Sequence, residues 1–243
     1  PERAILVGAF NPTLTKDLRA DGFVLKTEKS RLYIAGGGST GTWYGVYELL
    51  ERFGCRWWSY NEEDVPSKAT LKVKTLNVTS QSPFTLHDIM SREADNFSQK
   101  SRMAGVENFT GSHNLQPMLK TYSETHPEIL PLVEKTGVRE FNNLHYCYTA
   151  PGIAEALADV LAKQVEARNG NVSGVIYFAG MGDWYGGMCE CSVCKKVYEE
   201  ELWTDPDGRK KPGYTATLLR MVNKTAEILE QKYPGIKVGT FAY

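Results

Sequence analysis

The sequence predicts an α/β protein in two parts, and three observations predict it. Short apolar runs bounded by turn residues recur along the chain. Two long segments repeat their apolar residues at helical spacing. A polar, proline-ended stretch then separates a compact first part from a second in which strand-like and helix-like segments alternate. Such alternation implies parallel strands joined by right-handed crossovers, hence a doubly wound sheet or a (β/α)8 barrel.

Residues 1–76 read as a small α/β domain. Ala4–Val7 is a short apolar strand, and Gly22–Leu25 with Leu32–Ala35 forms a hairpin whose turn contains Lys29 and Ser30. Ser39–Phe53 is amphipathic, with Trp43, Val46, Tyr47, Leu50 and Phe53 at helical spacing and Gly54 placed to cap its C-terminal end. Cys55–Trp58 reads as a strand, and Leu71–Leu76 alternates as an edge strand does. Glycines 36–38 precede the helix as a phosphate loop would. They lack the Gly-Lys-Ser/Thr that such a loop needs, so a tight strand-to-helix turn is the better reading.

Asn77–Pro83 is the predicted boundary, and residues 84–243 form the second domain. Its strands are Phe84–Met90, Val106–Phe109, Leu144–Tyr148, Gly174–Phe178 and Ile236–Phe241, with helical pieces at Ser98–Met103 and Pro127–Val133. A clear helix starts at Pro151 and carries Ile153, Leu157, Val160, Leu161 and Val165 in one stripe. Another spans Thr215–Lys232, with Leu218, Val222, Ala226 and Leu229 inward. A complete barrel takes roughly 250 residues, and about 160 follow the boundary. The second domain is therefore either an open five-stranded sheet or the front part of a barrel.

Composition narrows the function classes. Hydrophobic residues make up 42% of the 243 and charged residues 23%, as in a globular chain, and the net charge of -1 gives no reason to expect nucleic acid or an anionic membrane as partner. No apolar run approaches the roughly 18–20 residues of a membrane-spanning helix. The start at Pro1, without Met or signal sequence, reads as a processed or trimmed chain.

The densest chemistry lies between Asp183 and Cys194, directly after the apolar run 174–178. Asp183, Trp184 and Tyr185 are followed by Cys189, Cys191 and Cys194, where a strand empties into a loop, and α/β folds place their sites at such exits. The three thiols fall within six residues, and Cys147, ending the preceding strand, can supply a fourth ligand. Four thiolates suit a structural zinc. Two disulfides are the rival arrangement and would fit a periplasmic or extracellular protein, although Cys-x-Cys spacing strains pairing within the loop. Asp183 is either a catalytic or sugar-binding carboxylate or the residue that orients the cysteine loop. Glu190, between two thiols, reads as solvent-facing, and Cys55 and the Arg56–Trp58 cluster read as core.

Residues 41–58 (Gly-Thr-Trp-Tyr-Gly-Val-Tyr-Glu-Leu-Leu-Glu-Arg-Phe-Gly-Cys-Arg-Trp-Trp), with Val65-Pro66 following, resemble the small α/β domain that precedes the barrel in α-glucuronidases and β-hexosaminidase-like enzymes. From His87 onward the chain resembles the bacterial domain of unknown function, family 4838. The matching pieces are 111–113, 126–128, 146–151, 182–194 with its cysteines, and 238–243. The resemblance implies a glycoside-hydrolase-like TIM-type barrel, interrupted here after strand five, that acts in polysaccharide degradation. It makes Asp183, at the end of the fourth strand, the general acid, and puts any second catalytic carboxylate on a strand beyond Tyr243. The sugar site would include His113 and Asn114 after the second strand, Trp184 stacked on a ring, and Asp88 at the end of the first strand. The expected partner is an oligo- or polysaccharide, the expected location periplasmic or extracellular. The alternative is a non-catalytic carbohydrate-binding module with a cysteine-stabilised loop.

Overall fold

The computed structural model describes residues 3–8, 12–87, 97–103, 108–141, 145–183 and 186–241, and it divides into two compact units, Pro1–Glu107 and Asn108–Tyr243. The expected first-strand residues 88–90 and the aromatics Trp184 and Tyr185 lie outside the described residues.

The first unit is a mixed sheet with one long helix. β1 (Ala4–Val7) runs parallel to β3 (Arg31–Gly36). β2 (Phe23–Glu28) lies antiparallel to β3, and Glu28 opposite Arg31 leaves the predicted two-residue turn at Lys29 and Ser30. α1 (Ser39–Arg52) buries Tyr44 and Leu49 against Phe23, Leu25, Leu32 and Ile34. It ends as Gly54 predicts: Gly54 takes φ 102°, its N–H donates to Glu51 O at 2.9 Å, and Cys55 N–H donates to Leu50 O at 3.1 Å. β4 (Arg56–Ser59) and β5 (Glu62–Asp64) form a hairpin.

The edge strand is not where alternation places it. Leu71–Leu76 has no regular structure, and β6 (Asn77–Ser80), expected as a linker, pairs with β2 instead. The Asp21 carboxylate, fully buried, meets Arg19 and His87 at 3.3 Å each, and Arg19 also donates to the Ser82 and Phe84 carbonyls. Residues 77–87 are thereby fastened to the first sheet. α2 (Phe97–Lys100) completes the unit.

The glycines before α1 serve backbone packing. Gly37 N–H donates to Gly22 O and Gly41 N–H to Ala20 O, at 2.9 and 2.8 Å. A Cβ on Gly41 would stand 2.0 Å from Gly22 O, and one on Gly37 2.1 Å from Arg19 O. The loop 19–22 and the β3–α1 turn touch main chain to main chain, leaving no cradle for a phosphate.

The second unit contains β7 (Asn108–Phe109), α3 (Leu115–Thr125), the hairpin β8 (Leu132–Val133) and β9 (Val138–Arg139), α4 (Ile153–Glu166), β10 (Val175–Phe178), α5 (Ser192–Glu200), the hairpin β11 (Trp203–Thr204) and β12 (Lys210–Lys211), α6 (Tyr214–Lys232) and β13 (Lys237–Gly239). β10 lies between β7 and β13, parallel to both, so strand order in space follows order in the chain. Three strands, rather than the expected five, form this sheet among the described residues. Residues 145–148 are buried but not a strand, and Pro127–Val133 is a short 3-10 turn leading into β8. The two long helices hold to prediction: α4 buries Ile153, Leu157, Leu161 and Val165, and α6 buries Leu218, Met221, Val222 and Leu229. Thr225 of α6 donates to Ala154 O of α4 at 3.2 Å, one of the polar contacts where they pack. No helix among the described residues is long and apolar enough to cross a membrane.

Gly41→Ala forces a methyl against a carbonyl that is itself hydrogen-bonded, and overpacking of this kind costs about 1–3 kcal/mol or more. The expected result is a lower denaturant midpoint for the first unit with an unchanged transition for the second, measured by urea unfolding followed at separate probes. An unaltered first transition would show that the loop 19–22 yields freely.

Candidate functional site

Because β7, β10 and β13 are parallel, their C-terminal ends share one edge of the sheet, and the chain stitches those ends together. Phe178 N–H donates to Thr110 Oγ1 at 3.0 Å, and Thr240 Oγ1 donates to Ala179 O at 2.8 Å. The Asn114 amide spans the gap between the β7 and β10 exits, with Nδ2 donating to Phe178 O at 2.7 Å and Oδ1 accepting from Gly180 N–H at 2.8 Å. Gly180 permits this closeness, since a Cβ there would stand 1.9 Å from Ser112 O. Asn114, expected among the sugar contacts, spends both ends of its amide on main chain.

His113 and Asp183 meet on this edge. The His113 Nδ1–H donates to Met181 O at 2.7 Å, and its ring packs on Phe241 with centroids 4.6 Å apart. A carbonyl only accepts, so Nδ1 carries a proton and Nε2 is the ring nitrogen turned toward Asp183. That atom lies 3.8 Å from Asp183 Oδ2. Asp183 is 75% exposed. It lines a cavity of about 540 Å³ together with Met181, Met188, Glu201, Trp203 and Tyr214.

The four expected thiols come together. The Sγ atoms of Cys147, Cys189, Cys191 and Cys194 all lie within 4.8 Å of one another, every one buried and none in a disulfide. Cys147 Sγ is 3.8 Å from both Cys191 Sγ and Cys194 Sγ. An S–S bond is only about 2.05 Å long, whereas a regular tetrahedron with metal–sulfur lengths of about 2.3 Å has edges of about 3.8 Å. The donor set thus fits one soft, four-coordinate ion.

Donors surround the sulfurs as they do around thiolates. Leu132 N–H donates to Cys189 Sγ at 3.3 Å and Cys194 N–H to Cys191 Sγ at 3.5 Å, while Thr149 Oγ1 stands 3.0 Å from Cys194 Sγ. Arg139, 3.9 Å from Cys189 Sγ, is partly buried, which works against its charge, yet hydrogen bonding and attraction to the thiolates raise its pKa. Hydrogen bonds from Cys189 and Cys194 draw the Cys147 thiol far below its ordinary value. Cys189 is pushed up to about 11, chiefly by Cys147, and Cys194 is pushed higher still by Cys147 and Cys189.

Trp184 and Asp88, expected in the sugar site, lie outside the described residues. His145 is buried against Tyr148 OH at 3.1 Å, and His126 stacks on Tyr122 at the surface. Sequence reading missed Arg139 and Thr149 at the thiols and Glu201, Trp203 and Tyr214 at the cavity. The available signal was Asp205-Pro-Asp-Gly208, which closes the β11–β12 hairpin and so presents Trp203.

No curated protein matches this chain. Two solved structures of a GH42 β-galactosidase from G. stearothermophilus, one of them a catalytic mutant, are similar to it at 19% identity with a TM-score of 0.30. Each alignment covers 59% of this chain and 26% of the other, so the chain spans about a quarter of that enzyme's length. The family resemblance read from the cysteine loop is met by a match to the family profile over residues 57–243, and the chain belongs to the family defined by the domain of unknown function DUF4838.

Proposed function

We propose that the protein acts on carbohydrate and hydrolyses a glycosidic bond at the C-terminal edge of β7, β10 and β13. The meeting of Asp183 with His113 at 3.8 Å on that edge, beside an open cavity, carries the reading. Strand ends of this kind gather side chains from separate loops onto one rigid frame. Spatial order follows chain order through the three strands, as it does in a (β/α)8 barrel and within either half of a doubly wound sheet. Asp183 is assigned as the acid: its proton goes to the glycosidic oxygen as the bond to the anomeric carbon breaks, water bonds to that carbon, and the proton that the water releases returns the Asp183 carboxylate to its acid form through solvent. His113, held by Met181 O and Phe241, orients Asp183 or receives a sugar hydroxyl. One observation favours the non-catalytic glycan-capture reading: Asp183 is largely in water before a ligand binds.

Removing a general acid costs about 10²- to 10⁴-fold in rate. Product release from oligo- and polysaccharides should therefore fall by about that factor in Asp183→Asn with the melting temperature unchanged, since the side chain is exposed. Glycan binding without turnover in both proteins would replace hydrolysis with capture.

The ion at the four cysteines is proposed to be zinc, held by Cys147, Cys189, Cys191 and Cys194 in a closed site that takes no part in chemistry and fixes the loop between Asp183 and α5. Elemental analysis should find about one zinc per chain. Ligand thiols must lose their protons to bind, so chelator should strip the metal more readily as pH falls. Cys194→Ser should lose the ion and lower the melting temperature of the second unit by about 10 °C. Metal-free protein with an unchanged melting curve would reject the site.

A further inference from the structure

The cavity beside Asp183 adjoins a second one of about 530 Å³; the two share Gly186, Met188, Pro212 and Tyr214. Side by side they make a cleft that reaches from Asp183 to the cysteine loop, where Cys189 and Glu190 line the far end. Each part has the volume of a small-molecule site, about 300–1,000 Å³.

Two aromatic side chains line the cleft with much of their surface in water. Trp203 is 53% exposed and Tyr214 46% exposed. Tyr214 lies at the junction of the two cavities, and an edge-on contact with Tyr198, centroids 4.8 Å apart, holds its ring in place. A pyranose offers an apolar C–H face to such a ring and hydroxyls to the carboxylates around it. Glu201 supplies one carboxylate, and Arg220 donates to its Oε1 at 2.7 Å, which fixes its direction.

Charge then selects the sugar. The ionisable lining comprises Asp183, Glu190, Glu199 and Glu201 against Lys195; ion pairs with Arg220 and Glu134 offset Glu201 and Lys195, which leaves Asp183, Glu190 and Glu199 as the negative excess. Like charge along a cleft repels a polyanion and leaves a neutral chain unaffected.

We infer that this cleft binds a neutral oligosaccharide across both cavities, with Tyr214 between the two subsites, Trp203 at the outer wall and Glu201 accepting hydroxyl hydrogens. The inference rests on the carbohydrate reading above and adds to it the substrate class and the residues that read it.

Calorimetric titration with linear hexasaccharides of glucose, xylose, galactose and mannose, and with the hexasaccharide of galacturonic acid, tests it. At least one neutral sugar should bind and the acidic one should not. Trp203→Ala and Tyr214→Ala should each weaken the neutral sugar by roughly tenfold or more, about 1.4 kcal/mol, and Trp203→Phe should recover most of the loss. Unchanged melting curves show that the variants fold, as exposed positions allow. Preference for the galacturonic acid chain overturns the neutral class. Neutral-sugar binding that both alanine variants leave intact overturns the cleft while the carbohydrate reading stands. Binding of none of the five removes that reading and the inference with it.

Discussion

The carboxamide of Asn114 is the constraint on which the candidate site depends. Two loops must leave neighbouring parallel strands and stay together long enough to present side chains from both, and loop main chain that turns away from a sheet loses its ladder partners. Asn114 replaces those partners from a single side chain, giving a donor to Phe178 O and an acceptor to Gly180 N–H. It can do so only because Gly180 has no side chain to hold the loops apart. His113 is the adjacent residue, so the same clip sets where its ring stands, and the Met181 carbonyl then sets its tautomer. The distance from Nε2 to Asp183 thus follows from backbone satisfaction at Phe178 and Gly180.

The thiol cluster is a second anchor on the opposite side of the cleft. Cys147 comes from the turn before α4, Cys189 and Cys191 from the long loop after β10, and Cys194 from the first turn of α5, while β8 lends an N–H through Leu132. Glu190, within the cluster, donates its N–H to Leu132 O at 2.9 Å and accepts from Glu134 N–H at 2.7 Å. The loop that starts at Asp183 is therefore tied at its near end by the strand exits and at its far end by four sulfurs and the β8–β9 hairpin. Rigid ends suit a binding wall, because ordering a loop on ligand binding would subtract from affinity.

The parts of this protein legible in its sequence are those in which local signals and long-range packing agree. α4 and α6 carry their buried faces at helical spacing, and three of the four thiols could be gathered from spacing alone, while Cys147 joins them from a turn rather than from the expected strand end. Leu71–Leu76 failed because alternation states only that a segment could be a strand. The partner edge on β2 was taken by Asn77–Ser80, with Thr27 and Leu76 exchanging just a short contact beyond it. Residues 145–148 failed in the other direction: all four are buried, the polar His145 included, but Cys147 joins the thiol cluster rather than extending along a ladder. α3 was obscured by Pro117, which a helix tolerates in its first turn, where the missing N–H has no intrahelical partner. α5 is short, and its N-cap is Cys191, whose sulfur accepts from Cys194 N–H, so the capping signal was written in a residue read as a ligand.

The exposure of Asp183 bears on how such a site could do chemistry at all. A carboxylic acid in water gives up its proton readily and delivers it to solvent as easily as to a substrate, whereas withdrawal from water favours the protonated form that a general acid needs. Among the described residues nothing covers Asp183, yet it lines a cavity whose other walls include Met181, Met188, Trp203 and Tyr214. A sugar filling that cavity would itself exclude the water next to the carboxyl, and His113 at 3.8 Å would remain as its polar neighbour. The ligand would then complete the environment that makes the acid effective, with substrate binding and acid strength coupled through desolvation. On that account an open carboxylate in the free protein and a working acid in the complex are the same residue seen with and without its ligand. The Asn114 clip, which sets the place of the adjacent His113, would hold that polar neighbour in position as the ligand entered.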